Sequence, residues 1–231
     1  LFDQYARMFR VEWRPTIKMR YWLNSKLMRR WEPSFAQRFD RLIALSRTDR
    51  DKLLAVNPRL RFDVIPNGSD TSLLEPLPPP KDTSTLIFVG NMNYTANADG
   101  ATFFCQEILP HIRQRRDDIQ TWIVGRNPLP EVKALQTDHI HVTGFVDDVV
   151  PYYERSTVSV VPLRAGSGIR LKILESMALG RPVVSTTLGC EGIDAVDREH
   201  ILIADTPEQF SEKTLELLEN RALYQRIVSN A

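Results

Sequence analysis

The chain after residue 85 alternates short apolar runs with helical patterns, and this alternation limits the fold more than any other feature. The runs are apolar throughout, as expected for strands that are buried on both faces of a parallel sheet. Six such strands within about 145 residues are typical of one doubly wound α/β domain. The predicted strands cover residues 86–90, 121–125, 139–144, 158–162, 182–186 and 201–204, and helices are predicted at 98–115, 131–136, 149–155, 169–179 and 207–219.

A proline-rich segment precedes this domain. Four prolines fall within the five positions 76–80, and such a run disfavours both helix and central strand. We therefore predict a linker at 71–85 between a first unit at 1–70 and the α/β domain at 86–231. In the first unit, residues 1–36 have a helical pattern. Apolar runs at 38–46 and 62–66 are predicted strands that flank a helix capped by Thr48.

The two sides of residue 70 differ in charge. Residues 1–70 hold 15 Lys/Arg and 8 Asp/Glu, a net charge of +7, whereas residues 71–231 hold 15 and 21, a net charge of −6. Trp13, Trp22 and Trp31 also lie in the basic part. Two interpretations are open for residues 1–31: a surface that contacts an anionic membrane, or a helical face whose cations are solvated. No motif supports nucleic-acid binding.

Composition excludes several classes of protein. With 42% hydrophobic and 26% charged residues, the chain has enough apolar side chains for a core. No run reaches the roughly 18–20 apolar residues that span a bilayer. The two cysteines and four scattered histidines predict neither disulfides nor a metal site, so we expect a cytoplasmic protein without a metal. Because the chain begins with Leu1 and lacks a signal-peptide pattern, we expect it to be a piece of a longer protein.

The strongest candidate site is the loop and helix start at residues 162–175. Gly166 and Gly168 allow the backbone to approach a ligand closely, and the next helix presents free N–H groups; together these are typical of an anion site. Arg164, Arg170 and Lys172 add cations that oppose the helix dipole by roughly 0.3–1 kcal/mol each. Three cations without an acid at this position favour binding of an anion such as a diphosphate.

Glu175 lies almost two turns into the same helix, among apolar neighbours. A carboxylate in that setting needs partners. Three partners are open: the ribose diol of a nucleotide, an intrahelical pair with Lys172, and a hydrogen bond to nearby backbone.

Three further loops leave the same predicted edge of the sheet. Gly90 and Asn91 follow the first strand of the domain, Arg126 follows the second and Phe145 the third. Arg126 is a candidate for a phosphate or base contact and Phe145 for the wall of a base pocket, although ordinary loop positions explain both equally well. The chain has no GxGxxG, Walker or GxSxG pattern, which disfavours simple dinucleotide oxidoreductases, P-loop enzymes and serine hydrolases.

Several segments resemble, in their order along the chain, the family-four retaining glycosyltransferases of the GT-B fold, in particular bacterial polysaccharide-type members. They are residues 39–51, 62–70 (FDVIPNGSD), 86–110 (LIFVGNMNYTANADGATFFCQEILP), 142–149 (VTGFVDDV) and 169–192 (IRLKILESMALGRPVVSTTLGCEG). The resemblance covers about residues 35–220. It implies a Rossmann-like donor domain, the C-terminal domain of the GT-B fold, preceded by a mostly helical remnant of a first Rossmann-like domain that carries the acceptor site.

The resemblance also implies an activity and a set of residues. A sugar is transferred with retention from a nucleoside-diphosphate-sugar to a hydroxyl, in polysaccharide or glycolipid biosynthesis, and no metal is required. Arg170 and Lys172 stabilise the leaving diphosphate, and Glu175 holds the ribose. The remaining donor-binding residues are Gly90, Asn91, Arg126, Phe145, Gly166, Ser167, Gly168, Ile169 and Leu171.

Two departures from the family pattern concern the donor site. Ser167 stands where the first glutamate of the E-x7-E motif is expected, eight residues before Glu175, and the loop after the first strand has asparagines instead of a basic residue. The expected partners are a nucleotide-sugar, a glycan or lipid-linked acceptor, and the inner face of the cytoplasmic membrane in peripheral contact. Because most of the first domain lies outside the chain, we expect donor binding without turnover. The alternatives are a nucleotide-sugar epimerase on the same fold and a non-catalytic nucleotide-binding module.

Overall fold

The computed structural model describes residues 2–68 and 75–231. The first part contains two helices followed by a small parallel sheet. The elements are α1 (Phe2–Val11), α2 (Pro15–Ala36), β1 (Leu42–Ala44), α3 (Arg47–Val56) and β2 (Phe62–Val64). β1 and β2 pair in parallel with Leu42 opposite Phe62. The last two residues of the motif at 62–70, and residues 71–74 of the predicted linker, lie outside the described residues.

The first part differs from the sequence prediction in two details. α3 is capped by Ser46, whose hydroxyl accepts a hydrogen bond from the Asp49 N–H at 3.0 Å, so the predicted Thr48 cap is wrong. Pro15 opens α2, because its missing N–H costs nothing in a first turn. Pro33, in contrast, lies inside the helix, which continues to Ala36.

The second part contains one sheet of six parallel strands. They are β3 (Thr85–Val89), β4 (Gln120–Val124), β5 (Ile140–Val142), β6 (Val158–Val161), β7 (Val183–Ser185) and β8 (Leu202–Ile203). Their order across the sheet is β5-β4-β3-β6-β7-β8. All six strands were predicted, and the doubly wound α/β fold is confirmed. The order reverses between β3 and β6, which is where ligands bind in sheets of this kind.

Helices cover both faces of this sheet. They are α4 (Thr95–Phe103), a π-helical turn (Phe104–Ile108), α5 (Leu109–Arg115), α6 (Pro130–Lys133), α7 (Val150–Glu154), α8 (Leu171–Ala178), α9 (Pro207–Glu219) and α10 (Arg221–Asn230). The predicted helix at 98–115 begins three residues earlier and widens in the middle. There the Leu109 N–H bonds to the Phe104 carbonyl, just before Pro110, which has no N–H of its own to donate.

Alternate residues of β3 enter two different cores. Leu86 and Phe88 join a large cluster under α4, α5 and α9, whereas Ile87 joins a smaller one with Val124 and Tyr153 on the opposite face. This is the pattern of a strand buried on both sides, as its apolar run predicts. Within the described ranges, no helix is both long and apolar enough to cross a membrane.

Candidate functional site

The candidate site lies at the carboxyl ends of β3 and β6, where the strand order reverses. Gly90 follows β3 directly, and a loop of residues 162–170 connects β6 to α8. In doubly wound sheets this switch point forms the ligand crevice. The fold therefore brings together two loops that the sequence separates by about seventy residues.

The loop after β6 is organised by Arg170. Gly166 and Gly168 have φ values of +102° and +81°, which glycine adopts without strain. Arg170 is 8% exposed, and its guanidinium folds back into this loop, where Nη1 donates to the carbonyls of Ser167, at 2.5 Å, and Gly168. Burial lowers the Arg170 pKa. Its Nη2 is buried without a hydrogen-bond partner in the described residues.

Lys172 connects the two loops. Its Nζ donates to Asn97 Oδ1 at 2.8 Å and lies 4.5 Å from the centre of the Phe88 ring. Burial, followed by the nearby charge of Arg170, lowers the Lys172 pKa to about 7. A Cβ on Gly90 would lie 2.8 Å from this Nζ, so the close approach of the lysine requires glycine at the end of β3.

The segment after β3 contributes through Asn97, which is buried in the first turn of α4, more than through Asn91, which is exposed in the preceding loop. The Asn97 amide donates to the Asn91 carbonyl at 3.0 Å and accepts from Lys172, whereas the Asn91 side chain accepts from the Asn93 N–H, two residues away. Gly125 also matters here, because a Cβ at that position would lie 1.7 Å from the Gly90 carbonyl oxygen. A glycine directly after each of two neighbouring strands was the sequence signal for this close contact.

Glu175 lies partly buried on α8. Its carboxylate makes no hydrogen bond and no ion pair with the rest of the described chain, so neither the intrahelical pair with Lys172 nor the hydrogen bond to backbone is formed there. Its negative charge nevertheless acts on Lys172 and raises the pKa of that lysine slightly against the larger effects. The ribose contact stays a prediction.

Arg164 does not belong to the site. Its guanidinium pairs with Asp99 at 2.8 Å, approaches Glu107 at 3.6 Å and lies 4.1 Å from the centre of the Phe103 ring. It therefore points to α4, where acidic partners and an aromatic face offset its charge. The expectation of three cations facing one anion is wrong for this residue.

Four other predicted residues lie outside the immediate crevice. Phe145 is 69% exposed and lines a cavity of about 480 Å³ with Gly144 and Asn127, whereas the exposed Arg126 is not among its lining residues. Ile169 faces a second cavity of about 530 Å³, between the start of α3 and α8, and Leu171 is largely exposed.

Helix α1 adds residues that the sequence did not reveal. Arg7 Nη1 donates to the Gly166 carbonyl at 3.2 Å, and Gln4 accepts from the Ser167 hydroxyl at 3.3 Å while donating to the Tyr94 hydroxyl at 2.9 Å. Arg7 and Gly166 are 159 positions apart. No local pattern could indicate such a contact.

No three His, Cys, Asp or Glu side chains come together as metal ligands would in the part of the chain that the structure describes. The expectation of a site without metal stays a prediction.

Comparison with known proteins identifies relatives of the chain. A family model described as "Glycosyl transferases group 1" matches residues 83–220. Phosphatidyl-myo-inositol mannosyltransferase of Mycobacterium leprae is 27% identical over 176 residues, which are 71% of this chain and 46% of the relative. D-inositol 3-phosphate glycosyltransferase of Acidothermus cellulolyticus is 30% identical over 193 residues, which are 72% and 42% of the two chains. The chain spans less than half the length of these curated relatives.

Two solved structures share the fold. Sucrose-phosphate synthase from Thermosynechococcus elongatus has a TM-score of 0.73 at 19% identity, covering 89% of this chain and 55% of that one. HepE of Anabaena, solved in complex with UDP and glucose, has a TM-score of 0.72 at 17% identity, covering 87% and 60%. At such low identity the likeness shows the fold alone.

Proposed function

Because the chain belongs to the group 1 glycosyltransferases, whose solved structural neighbours have the GT-B fold, we propose that it binds a nucleoside-diphosphate-sugar and serves its transfer to a hydroxyl acceptor with retention. The acceptor is a glycan or a lipid-linked sugar in polysaccharide or glycolipid biosynthesis. The epimerase has no structural observation in its favour. Ser167 in place of the expected glutamate favours the non-catalytic module, whereas Glu175 and the cations Arg170 and Lys172 argue against it. In this proposal the acceptor site belongs to the part of the relatives that this chain does not cover, since the chain spans less than half their length.

The observation that carries this proposal is the cationic crevice at the switch point. Arg170 offers a buried Nη2 beside Gly166 that has no hydrogen-bond partner in the described residues. Lys172 extends from α8 so that its Nζ lies beside Gly90 at the end of β3, and its pKa is lowered to about 7. Two cations held close together in a partly dry site are costly without an anion. A diphosphate would offset that cost, since it supplies acceptors for Arg170 and the charge that brings Lys172 to its protonated form.

The reaction explains why these charges suit a transferase. As the bond between C1 of the sugar and the phosphate oxygen breaks, its electron pair goes to the diphosphate, and negative charge grows there. Arg170, Lys172 and the N-terminal turn of α8 are fixed donors at this point, so they stabilise the transition state more than the ground state. In this proposal they take the role that a metal ion has in other enzymes.

Glu175 is proposed to accept hydrogen bonds from the ribose hydroxyls. Its carboxylate lies one turn beyond Lys172 on α8 and is not used by the described residues. A ribose diol offers the two donors that such a group needs. The cavity beside Phe145 is the proposed position of the base.

A membrane-facing surface is proposed for α2. Trp22 and Trp31 are 45% and 64% exposed, and Lys26, Arg29 and Arg30 between them are also exposed. Aromatic and cationic side chains in this mixture suit the interface of an anionic bilayer, where a lipid-linked acceptor would be found. The proposed location is the inner face of the cytoplasmic membrane, in peripheral contact.

Calorimetric titration of the chain with UDP, GDP and ADP tests the donor site. We expect one nucleotide to bind and the double variant Arg170→Ala, Lys172→Ala to lose at least about tenfold in affinity, since hydrogen bonds to charged groups contribute roughly 1.5–3 kcal/mol each. Glu175→Ala should lose less. UDP is the first choice because HepE, which shares the fold, was solved with it.

Arg164→Ala is the matched control, because this arginine lies in the same loop but pairs with Asp99. An equal loss in this variant, or none in the double variant, would contradict the site assignment. Product analysis of a longer protein with both domains then separates sugar transfer to an acceptor from epimerisation of the free donor.

A further inference from the structure

Helix α1 lies across the loop after β6. Met8 is fully buried and packs with Ala96 and Ala165, one residue from each side of the crevice. Gln4 contacts Ser167 and Tyr94 from the same helix face. An element of the first part therefore covers the glycine loop of the second.

Four charged residues hold α1 in this position, and we call them the α1 lock: Asp3, Arg7, Lys52 and Glu191. Arg7 and Glu191 form a two-point ion pair with distances of 2.5 and 3.0 Å. Lys52, on α3, pairs with the same Glu191 at 2.7 Å and with Asp3 at 3.1 Å. Asp3 also pairs with Arg7 at 3.0 Å. The lock thus joins α1, α3 and the turn after β7, three segments that are remote in sequence.

The geometry of this lock is stronger than that of an ordinary surface ion pair. The Arg7 and Glu191 side chains are only 16% and 21% exposed. The fork of the guanidinium matches the two carboxylate oxygens, which gives direction as well as attraction. Burial raises the Glu191 pKa, but the hydrogen bonds from Arg7 and Lys52 more than reverse this and bring it to about 2. The carboxylate is therefore charged throughout the physiological pH range.

The lock reaches the glycine loop through Arg7. The same Nη1 that pairs with Glu191 also donates to the Gly166 carbonyl. Gly166 has a positive φ and lies against the Arg170 guanidinium, so the direction of its carbonyl is tied to the conformation of the whole loop. If Glu191 releases Arg7, the loop loses a donor that fixes one of its peptide units.

We propose that Glu191 is a positioning residue: by holding Arg7 and Lys52, it locks α1 over the glycine loop and fixes that loop in the shape that receives the donor diphosphate. The lock itself stands on the contacts above, whereas its effect on the donor rests on the proposed function. Binding of the nucleotide and closure of the lock then favour each other, since coupling between two sites is reciprocal.

Hydrogen exchange of α1 tests the lock directly. In Glu191→Gln, which keeps the shape of the side chain and removes its charge, we expect the α1 amides to exchange about tenfold faster, while the amides of β3 and β6 keep their rates. Arg10→Gln is the matched control, because Arg10 is an exposed arginine on the same helix. Equal α1 exchange in the wild type and Glu191→Gln would overturn the lock.

Nucleotide binding tests the positioning role. We expect UDP, or whichever nucleotide binds, to slow α1 exchange in the wild type but not in Glu191→Gln. The variant should also bind that nucleotide about three- to tenfold more weakly. Lys52→Gln, which loosens Glu191 without touching the glycine loop, should show the same direction with a smaller change. If α1 exchanges faster in Glu191→Gln but the nucleotide affinity is unchanged, the lock is supported and the positioning role is overturned. If the wild type binds no nucleotide, the proposed donor site and the positioning role both fail, while the exchange result still decides on the lock.

Discussion

The two parts of the chain bury their apolar side chains to very different extents. In residues 75–231, β3, β6 and β7 are buried almost completely between two layers of helices. In residues 2–68, the described hydrophobic side chains that are buried are Met8, Ala36, Ala44 and Leu60. The first part nevertheless has many large hydrophobic residues at its surface: Trp13, Met19, Trp22, Leu23, Leu27, Trp31, Phe35, Phe39, Ile43, Leu45, Val56 and Ile65.

This difference in burial indicates that the second part is stable by itself, whereas the first part depends on its neighbours. A sheet covered on both faces gains most of the roughly 25 cal/mol per Å² that apolar burial supplies, whereas a two-stranded sheet with few buried apolar side chains gains little. The second part therefore carries the stability of the chain. The first part contributes the α1 lock and exposes an aromatic surface that suits a partner.

Two phenylalanine pairs, one in each part, allow the contribution of burial to stability to be measured in both parts. Phe104 and Phe210 form an edge-to-face pair with ring centres 6.2 Å apart, and Phe35 and Phe39 form a similar pair at 5.6 Å. The first pair is fully buried and the second is about half exposed. We expect Phe104→Ala to lower the free energy of unfolding by about 3–5 kcal/mol, and Phe39→Ala by less than about 1 kcal/mol. Urea unfolding followed by circular dichroism measures both. Similar losses would show that the first part contributes a core of its own.

The same comparison explains what the sequence could predict. A strand that is buried on both faces needs apolar residues at successive positions, and this pattern is visible in the sequence. All six strands, β3 to β8, were therefore predicted. The prediction of Gly166, Gly168, Arg170 and Lys172 as one group rested on local chemistry. In the structure Gly166, Gly168 and Arg170 share one loop, whereas Lys172 lies on α8 and its Nζ reaches Asn97 and Gly90. Whether they bind a diphosphate is a question for the titration.

The features that the sequence did not reveal depend on distant contacts. Arg164 was grouped with the other cations, since nothing in its neighbourhood indicates that Asp99 and Glu107 lie opposite. The π-helical turn and α5 both pack against α9, a distant contact without a local signature, although Pro110 was a local hint. The α1 lock joins residues up to 184 positions apart, beyond the reach of any periodic pattern.

The buried Lys172 makes the stability of the folded chain depend on pH. Its pKa is about 7 in the folded chain against 10.5 as the ordinary value. Below pH 7 the lysine is charged in both the folded and unfolded states, so the full cost of burying the charge is present. As the pH rises from 7 to 10.5, the folded state is already neutral while the unfolded state still binds the proton, and the cost disappears. The wild type should therefore gain stability over this range relative to Lys172→Met.

Thermal melting measures this effect. At pH 6 we expect Lys172→Met to melt about 2–4 °C above the wild type, the shift that about 1 kcal/mol gives in a chain of this size, and the difference should shrink toward pH 10. Lys26→Met is the control, because this lysine is exposed on α2 and its charge has the same solvent in both states. A difference that stays constant with pH would mean that Lys172 is not held in an unfavourable charged form.

The exposed aromatic residues of α2 give the smallest expected effect on stability and the sharpest test of what the first part is for. Trp22→Ser with Trp31→Ser removes two rings that are about half exposed, so we expect the free energy of unfolding to change by less than about 1 kcal/mol. Cosedimentation with vesicles of anionic phospholipid should nevertheless fall several-fold, since burial of each ring in the interface supplies part of the binding energy. Phe145→Ser is the control, because Phe145 is equally exposed but lies on the second part beside the proposed base cavity. If the tryptophan variant unfolds readily instead, these rings pack against protein, and the aromatic surface is an interface for another part of the enzyme instead of a membrane contact.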